Sequence, residues 1–187
     1  MRQLSLVLLL VLVGCGGGDD DSSGTDSGVP PMVRTDCSGI QPMDLGRCAL
    51  DGGGECVGAT GESYGFGGLS SGASMSMVVG PQGSTMLVFI ARATGIDPGN
   101  PDMPRDSGNP LVEVALLDVG SGMQLSLYRQ RVGFTSEGGS LVSQQLWVVI
   151  DDASVSTLTG RAVVARATVR DAAGEERCGL ARVVPQR

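Results

Sequence analysis

The residues with the clearest potential for nucleophilic chemistry form the segment Gly68-Leu69-Ser70-Ser71-Gly72, which matches the Gly-x-Ser-x-Gly pattern of an activated serine. That pattern works where the serine stands on a sharp turn between a strand and a helix, with a histidine to accept its proton. The chain contains no histidine and no lysine, and a strand pattern follows the motif. We therefore interpret this segment as a loop rich in Gly and Ser.

Paired carboxylates are the second kind of catalytic group to consider. Asp26-Ser27-Gly28 and Asp106-Ser107-Gly108 both match the Asp-Ser/Thr-Gly of proteases in which two carboxylates share one proton. Neither motif follows an apolar strand that would hold its carboxylate rigidly, so we interpret both as turns. The sequence predicts no catalytic residue and no cofactor, and we do not expect an enzyme.

Oxygen-bearing side chains are concentrated between residues 97 and 109. Asp97, Asn100, Asp102 and Asp106 are weak calcium candidates, because Ca²⁺ takes six to eight oxygen ligands. Their spacing matches no EF-hand loop, and Asp and Asn form turns without any metal. A rigid surface loop is the favoured hypothesis, and a calcium site is the alternative.

β-Strands must position these residues, because hydrophobicity alternates with a period of two from residue 74 onward. Strands are predicted in the stretches 74–79, 85–93, 111–118, 123–131, 141–151, 161–170 and 177–184. No segment shows a sustained helical period with caps. Seven or eight short strands of this kind predict an all-β fold, an antiparallel β-sandwich.

Two hairpin registers follow from the alternation. The first pairs Leu127 with Val148 on the inner face and Tyr128 with Trp147 on the outer face. An outward pair of aromatic rings either stabilises the sheet or forms a platform for a sugar or peptide. The second hairpin turns at residues 171–174 and pairs Ala165 with Leu180 on the inner face.

The N-terminus carries an export signal. Arg2 precedes the apolar run 4–13, which has half the roughly 20 residues needed to cross a bilayer. The segment Leu12-Val13-Gly14-Cys15 resembles the lipobox of bacterial lipoproteins. That resemblance implies cleavage before Cys15 and acyl chains, such as palmitate, on Cys15, and two or more chains anchor a protein stably to a membrane. Because Gly16 rather than Asp follows Cys15, we expect the outer membrane.

The remaining cysteines are Cys37, Cys48, Cys56 and Cys178, an even number in a chain expected to be exported. This predicts two disulfides, since the absence of histidine and of Cys-x-x-Cys spacing does not suit zinc. Three connectivities are possible. We favour Cys37–Cys48, which closes a local loop, and Cys56–Cys178, which fastens the Gly-rich stretch to the last strand.

Composition divides the chain into four parts. We expect a signal peptide at 1–14, a lipid-anchored flexible linker at 15–36, a Cys- and Gly-rich extension at 37–73 and the β-sandwich at 74–187. Parts of this last domain are diffusely similar to immunoglobulin-like domains of uncharacterised envelope lipoproteins, namely 79–83, 109–113 and 160–174. The similarity implies a fold but no activity.

The charge balance limits the partners. The formal net charge is −7, and every basic residue is an arginine. A chain without a basic run has no electrostatic footprint for nucleic acid. We therefore expect a lipid-anchored envelope protein that acts as a non-enzymatic binding or structural module, with the membrane and a possible envelope protein as partners. The alternative is a small-ligand or glycan-binding module that uses Tyr128 and Trp147.

Overall fold

The computed structural model describes residues 36–50, 64–80 and 82–187. The signal peptide, Cys15, the linker up to residue 35 and Cys56 lie outside these ranges. The described residues form thirteen strands and one short helix: β1 (Gln41–Pro42), β2 (Asp44–Leu50), β3 (Tyr64–Gly68), β4 (Ala73–Ser76), β5 (Val78–Val79), β6 (Thr85–Ala93), β7 (Leu111–Asp118), β8 (Gln124–Arg131), β9 (Phe134–Glu137), β10 (Ser140–Ser143), β11 (Leu146–Ile150), α1 (Asp152–Leu158), β12 (Val163–Arg170) and β13 (Glu176–Gln186).

The strands form two sheets, and the predicted all-β sandwich is confirmed. Sheet A has the order β1-β13-β12-β7-β8, with β4 also paired to β13. Sheet B has the order β3-β2-β6-β10-β9, with β5 and β11 also paired to β6. Pairing among the described strands is mostly antiparallel, and β1 and β4 join β13 in parallel.

The core lies between the inner faces of the two sheets. In sheet A the inward residues alternate along each strand, as in β7, where Val112, Val114 and Leu116 are fully buried. In sheet B, β6 is buried along Met86–Ala91 without alternation, because its outer face is covered as well. The sequence shows the same difference, since β6 is a nearly continuous apolar run, whereas β12 in sheet A has Arg166, Thr168 and Arg170 at every second position.

Residues 37–73, predicted as an extension outside the sandwich, contribute strands to it. β2 pairs with β6 at Asp44–Arg92, and β3 pairs with β2. The β1–β2 segment passes from sheet A to sheet B, and the Met43 amide donates to the Cys178 carbonyl at 2.9 Å. The boundary predicted at 73/74 therefore does not separate two structural parts among the described residues.

The β12–β13 hairpin forms, but its predicted register is wrong by one residue. Ala165 lies opposite Ala181, not opposite Leu180, and Leu180 is half exposed. The turn decides this: the Asp171 amide donates to the Glu175 carbonyl, which leaves a three-residue loop that ends at Gly174 with φ +89°. Such a loop needs a residue in the left-handed region, where glycine fits.

The predicted ladder between Leu127 and Val148 is also wrong. β8 pairs with β7 at the edge of sheet A, and β11 pairs with β6 in sheet B. The two strands still meet where the sheets approach each other, because the Ser126 hydroxyl donates to the Val149 carbonyl at 2.5 Å. The alternation within each strand indicates which residues share a face, but it does not specify the strand with which it pairs.

One helix was not predicted. α1 has seven residues, and only Val155 and Leu158 are buried, so it is too short to produce a helical stripe in the sequence. Within the described ranges, no helix is long and apolar enough to cross a bilayer.

Candidate functional site

The aromatic platform expected from Tyr128 and Trp147 does not form. A register shift between Leu116 and Leu117 turns Tyr128 toward the inside, where it packs against the core, and leaves Leu127 exposed. Trp147 lies on the outer face of sheet B, opposite Val88. The two rings thus belong to different faces of different sheets, and the predicted pairing of Tyr128 with Trp147, as a structural pair or as a platform for a sugar or peptide, is wrong.

Burial changes the acidity of Tyr128. Because the ring is desolvated, the pKa of its phenol is raised from 10.0 to about 12, although the nearby Arg105 charge acts in the opposite direction. The hydroxyl lies 3.3 Å from Gln130 Oε1, to which it donates. Tyr128 is a partly buried residue packed against the core, and its hydroxyl stays protonated at neutral pH.

The 97–109 loop uses its Asp and Asn side chains to hold its own backbone. Asp97, Asn100 and Asp106 each accept a hydrogen bond from the amide two residues ahead, at 2.9, 3.0 and 2.7 Å. Such bonds define Asx turns, as the rigid-loop hypothesis expects. Across 36–50, 64–80 and 82–187, no three acidic or cysteine side chains are grouped closely enough to hold a metal ion.

Asn109 is the centre of this loop and was not singled out in the sequence. Its side chain is fully buried, accepts from the Asn100 amide at 2.6 Å and donates to the Met103 carbonyl at 3.0 Å. Gly99 packs against it with φ +65°, and a Cβ at position 99 would lie 2.8 Å from Asn109 Cα. The one available signal was the pair Asn109-Pro110, which is typical of turns.

The disulfide connectivity differs from the favoured one. Cys37 is bonded to Cys178, so the expected pairs Cys37–Cys48 and Cys56–Cys178 are both wrong. Cys48 is also disulfide-bonded, and its partner lies outside the described residues. The error has a topological reason: β1 runs parallel to β13 and brings Pro42 beside Cys178, whereas β2 carries Cys48 to the other sheet.

Two buried carboxylates fix turns. Asp118 accepts from the Ser121 amide and hydroxyl and from the Gly120 amide, and its other oxygen pairs with Arg161. The pKa of Asp118 is lowered, and the hydrogen bonds from Ser121 are the largest cause. Burial raises the pKa of Asp171, but backbone amides led by those of Asp97 and Glu175 outweigh it, and the net direction is downward.

A shallow groove lies where the chain crosses between the sheets. Arg92 pairs with Asp44 through Nη2 and Oδ2 at 2.6 Å, and its guanidinium lies 4.2 Å from the centre of the Phe66 ring. Cavities of about 150 and 190 Å³ flank this ion pair. Each is smaller than the roughly 300 Å³ at which pockets for small ligands begin.

The outer face of sheet A carries the largest group of like charges that the ladder registers define. Side chains opposite one another in a ladder share a face, and the rows of β8, β7, β12 and β13 place five arginines on the outside. We call these residues the arginine face: Arg129, Arg131, Arg166, Arg170 and Arg182. Glu113 and Glu176 are the glutamates in the same rows, and they pair with Arg129 at 2.9 Å and Arg170 at 3.2 Å.

Two residues of the arginine face, Arg129 and Arg170, line a third cavity. It measures about 160 Å³ and is lined by both of these ion pairs, by Thr168 and by Leu111. Among the described residues, Arg131 and Arg182 form no salt bridge. The sequence showed the origin of this face, because Val164, Arg166, Thr168 and Arg170 alternate with small apolar residues.

The remaining motifs fall in turns or outside the described ranges. The Gly68–Gly72 segment connects β3 to β4, and the Ala73 amide donates to the Ser70 carbonyl at 3.0 Å. Cys15 and Asp26-Ser27-Gly28 lie outside the described residues.

The chain matches no protein-family model, no curated protein and no solved structure.

Proposed function

We propose that this protein is an exported, lipid-anchored component of the bacterial cell envelope, with the β-sandwich as a non-enzymatic binding or structural module. The observation that carries the proposal is the Cys37–Cys178 disulfide, which joins the start of the domain to its last strand. Such bonds persist in oxidising compartments and are rare in the cytosol. The Leu12–Cys15 segment supplies the export and acylation signal.

We propose a non-enzymatic module because its buried polar side chains make hydrogen bonds that stabilise the fold. In the described ranges, the buried side chains of Asp118, Asp171 and Asn109 make their hydrogen bonds and ion pairs to groups of the protein itself, mostly backbone amides and carbonyls. Binding through a charged surface is the activity that this arrangement supports best. Anchoring by two or more acyl chains would keep that surface at the membrane.

Mass spectrometry of the protein purified from its native envelope tests the anchor. The expected N-terminal peptide begins at Cys15 and carries acyl chains, and a Cys15→Ser variant loses the acyl mass and leaves the membrane fraction. A native protein that retains Met1, or that begins at Cys15 without acyl chains, would contradict the proposal.

A further inference from the structure

Two half-exposed leucines lie within the arginine face. One row of the ladders crosses four strands of sheet A and contains Leu127 on β8, Ala115 on β7, Arg166 on β12 and Leu180 on β13. Leu127 and Leu180 are each 49% exposed. Since neighbouring strands lie about 4.8 Å apart, the two leucines are about 14 Å from each other with Arg166 between them. This row therefore presents apolar side chains to solvent.

Arginines border the leucine row on both sides. Arg129 lies about 7 Å from the row in one direction along the strands, and Arg182 lies about 7 Å from it in the other. Arg131 and Arg170 share the next row beyond Arg129. Apolar side chains surrounded by guanidinium groups suit the headgroup region of a bilayer, where apolar groups enter and arginines reach phosphate.

The face is positive in an acidic protein. Its rows hold five arginines and two glutamates, and one further carboxylate, that of Asp36, belongs to a residue whose carbonyl accepts from Arg166 Nε at 3.1 Å. The whole chain has 13 basic and 20 acidic residues. An anionic surface that approaches from this side therefore meets mainly arginines.

Screening limits the repulsion by the other acidic residues. The sheets of a sandwich pack about 10 Å apart, so an acidic group of sheet B such as Asp44 lies more than one Debye length behind the face at 0.1 M salt. An arginine close to an anionic leaflet still strengthens binding about fivefold. The ion pairs of Arg129 and Arg170 are exposed, and such pairs are weak enough to exchange for phosphate.

We propose that the arginine face binds the surface of a bilayer that contains anionic phospholipid, with Leu127 and Leu180 among the headgroups and the arginines on the phosphates. This inference rests on the proposed function, since it names the partner of the charged surface, but the contact itself requires no acyl chain. A second copy of the chain is a poorer occupant, because two arginine faces would repel each other. In this orientation Trp147, on the outer face of sheet B, is turned away from the bilayer.

Vesicle sedimentation with unacylated protein tests the surface. The mature chain from residue 15 onward, carrying Cys15→Ser, is mixed with vesicles of phosphatidylcholine alone or of equal parts phosphatidylglycerol and phosphatidylcholine. At 0.1 M NaCl we expect binding to the anionic vesicles to be at least about tenfold tighter, and in 1 M NaCl the difference should vanish. Equal binding to both vesicles, or binding to neither, would overturn the proposal. Acylation of Cys15 is decided separately, by the mass of the native N-terminal peptide.

Two triple variants of this chain locate the contact. One replaces three exposed arginines of the face, and the other replaces three arginines outside it: R129Q/R170Q/R182Q and R92Q/R105Q/R187Q. The first should bind anionic vesicles at least about tenfold more weakly than the parent chain, and the second within about twofold of it. Urea midpoints show that both variants are folded. An equal loss of binding in the two variants would overturn the proposal.

The leucines distinguish a bilayer from a soluble polyanion. The variant L127S/L180S should bind anionic vesicles about tenfold more weakly than the parent chain, because less apolar surface enters the headgroup region. Its binding to inorganic polyphosphate should equal that of the parent chain. Vesicle binding that the leucine replacements leave unchanged would indicate a soluble polyanion as the partner and would overturn the proposal.

Tryptophan fluorescence reports the orientation. The variant L180W/W147F carries its single tryptophan on the arginine face, whereas the parent chain carries Trp147 on sheet B. Anionic vesicles should shift the emission of the variant to shorter wavelength and leave the emission of Trp147 unchanged. A shift for Trp147 without a shift for the variant would show that sheet B faces the bilayer, contrary to the proposal.

Discussion

Asn109 has no exposed surface, yet both ends of its amide are used. Its oxygen accepts from Asn100 and its nitrogen donates to Met103, so one side chain closes the loop between β6 and β7 from within. The exposed Asp and Asn residues of the same loop hold local turns only. The loop is therefore ordered by a buried amide rather than by the carboxylates that suggested calcium.

Replacing Asn109 by alanine should destabilise the protein much more than replacing Asn100. Asn109→Ala removes two part-buried hydrogen bonds, at a cost of about 0.5–1.5 kcal/mol for each, and also the packing of a fully buried side chain. Asn100→Ala removes one exposed Asx bond and should cost less than about 1 kcal/mol. Urea unfolding measures both, and equal midpoints for the two variants would show that Asn109 does not organise the loop.

Ionisation of Tyr128 should lower the stability of the folded protein at alkaline pH. Its pKa in the folded state is about 12 against 10.0 when unperturbed. The folded pKa is raised, so the contribution of this group is fully present below pH 10 and is lost as the pH rises toward 12. Absorbance of the tyrosinate during titration should show one late-titrating phenol. This phenol should be missing from Tyr128→Phe, and a native titration with both tyrosines near pH 10 would contradict the burial of Tyr128.

Among the elements, β1 and β2 decide how the cysteines pair. The two strands are consecutive in the chain but join different sheets. Cys37 therefore lies beside β13, whereas Cys48 lies on β2 in the sheet that contains β6. A preference for short loops led to the wrong pairing, since nothing in the local sequence marks the crossing. The resulting bond links residues 141 apart in the chain.

A tryptic map of the unreduced protein distinguishes the two connectivities. Trypsin releases Thr35–Arg47 with Cys37, Cys48–Arg92 with Cys48 and Cys56, and Cys178–Arg182 with Cys178. We expect a covalent pair of Thr35–Arg47 with Cys178–Arg182. The reduced sample is the control, and a link from Thr35–Arg47 to Cys48–Arg92 would contradict the structure.

Removing that bond should matter for stability. In the chain-entropy model a disulfide that closes so long a loop contributes roughly 5 kcal/mol. The double variant Cys37→Ser/Cys178→Ser should therefore unfold at a clearly lower urea concentration than the native protein. A midpoint unchanged within error would mean that β1 and its neighbours are held without the bond.

For the molecule as a whole, protonation of the buried carboxylates should lower the stability of the folded protein at acid pH. The pKa values of Asp118 and Asp171 are both lowered from 3.8 in the folded state. Their contribution is thus present above about pH 4, the unfolded value, and is lost as the pH falls through the lower folded values. Asp171 also connects two regions, since it accepts from Asp97 at 2.8 Å and from Glu175 at 2.9 Å.

Urea unfolding at pH 7 and pH 3 tests this expectation. The native protein should lose stability between the two, and Asp171→Asn should lose less, because the substituted group no longer titrates. Asp151→Asn is the control, since the Asp151 side chain makes no capping hydrogen bond. An identical loss in Asp171→Asn and the native protein would show that Asp171 does not carry the acid sensitivity.

The sequence alone determined the fold class, most of the strands and the location of the β12–β13 turn, because period-two alternation and turn residues act locally. Only the tertiary structure decided the disulfide pairing, the faces of Tyr128 and Trp147 and the assembly of the arginine face. These depend on a register shift in the β7–β8 ladder, on the three-residue loop of the β12–β13 hairpin and on the crossing of the chain from one sheet to the other between β1 and β2. A shift of one residue reverses every side chain of a strand, and local patterns do not specify such shifts.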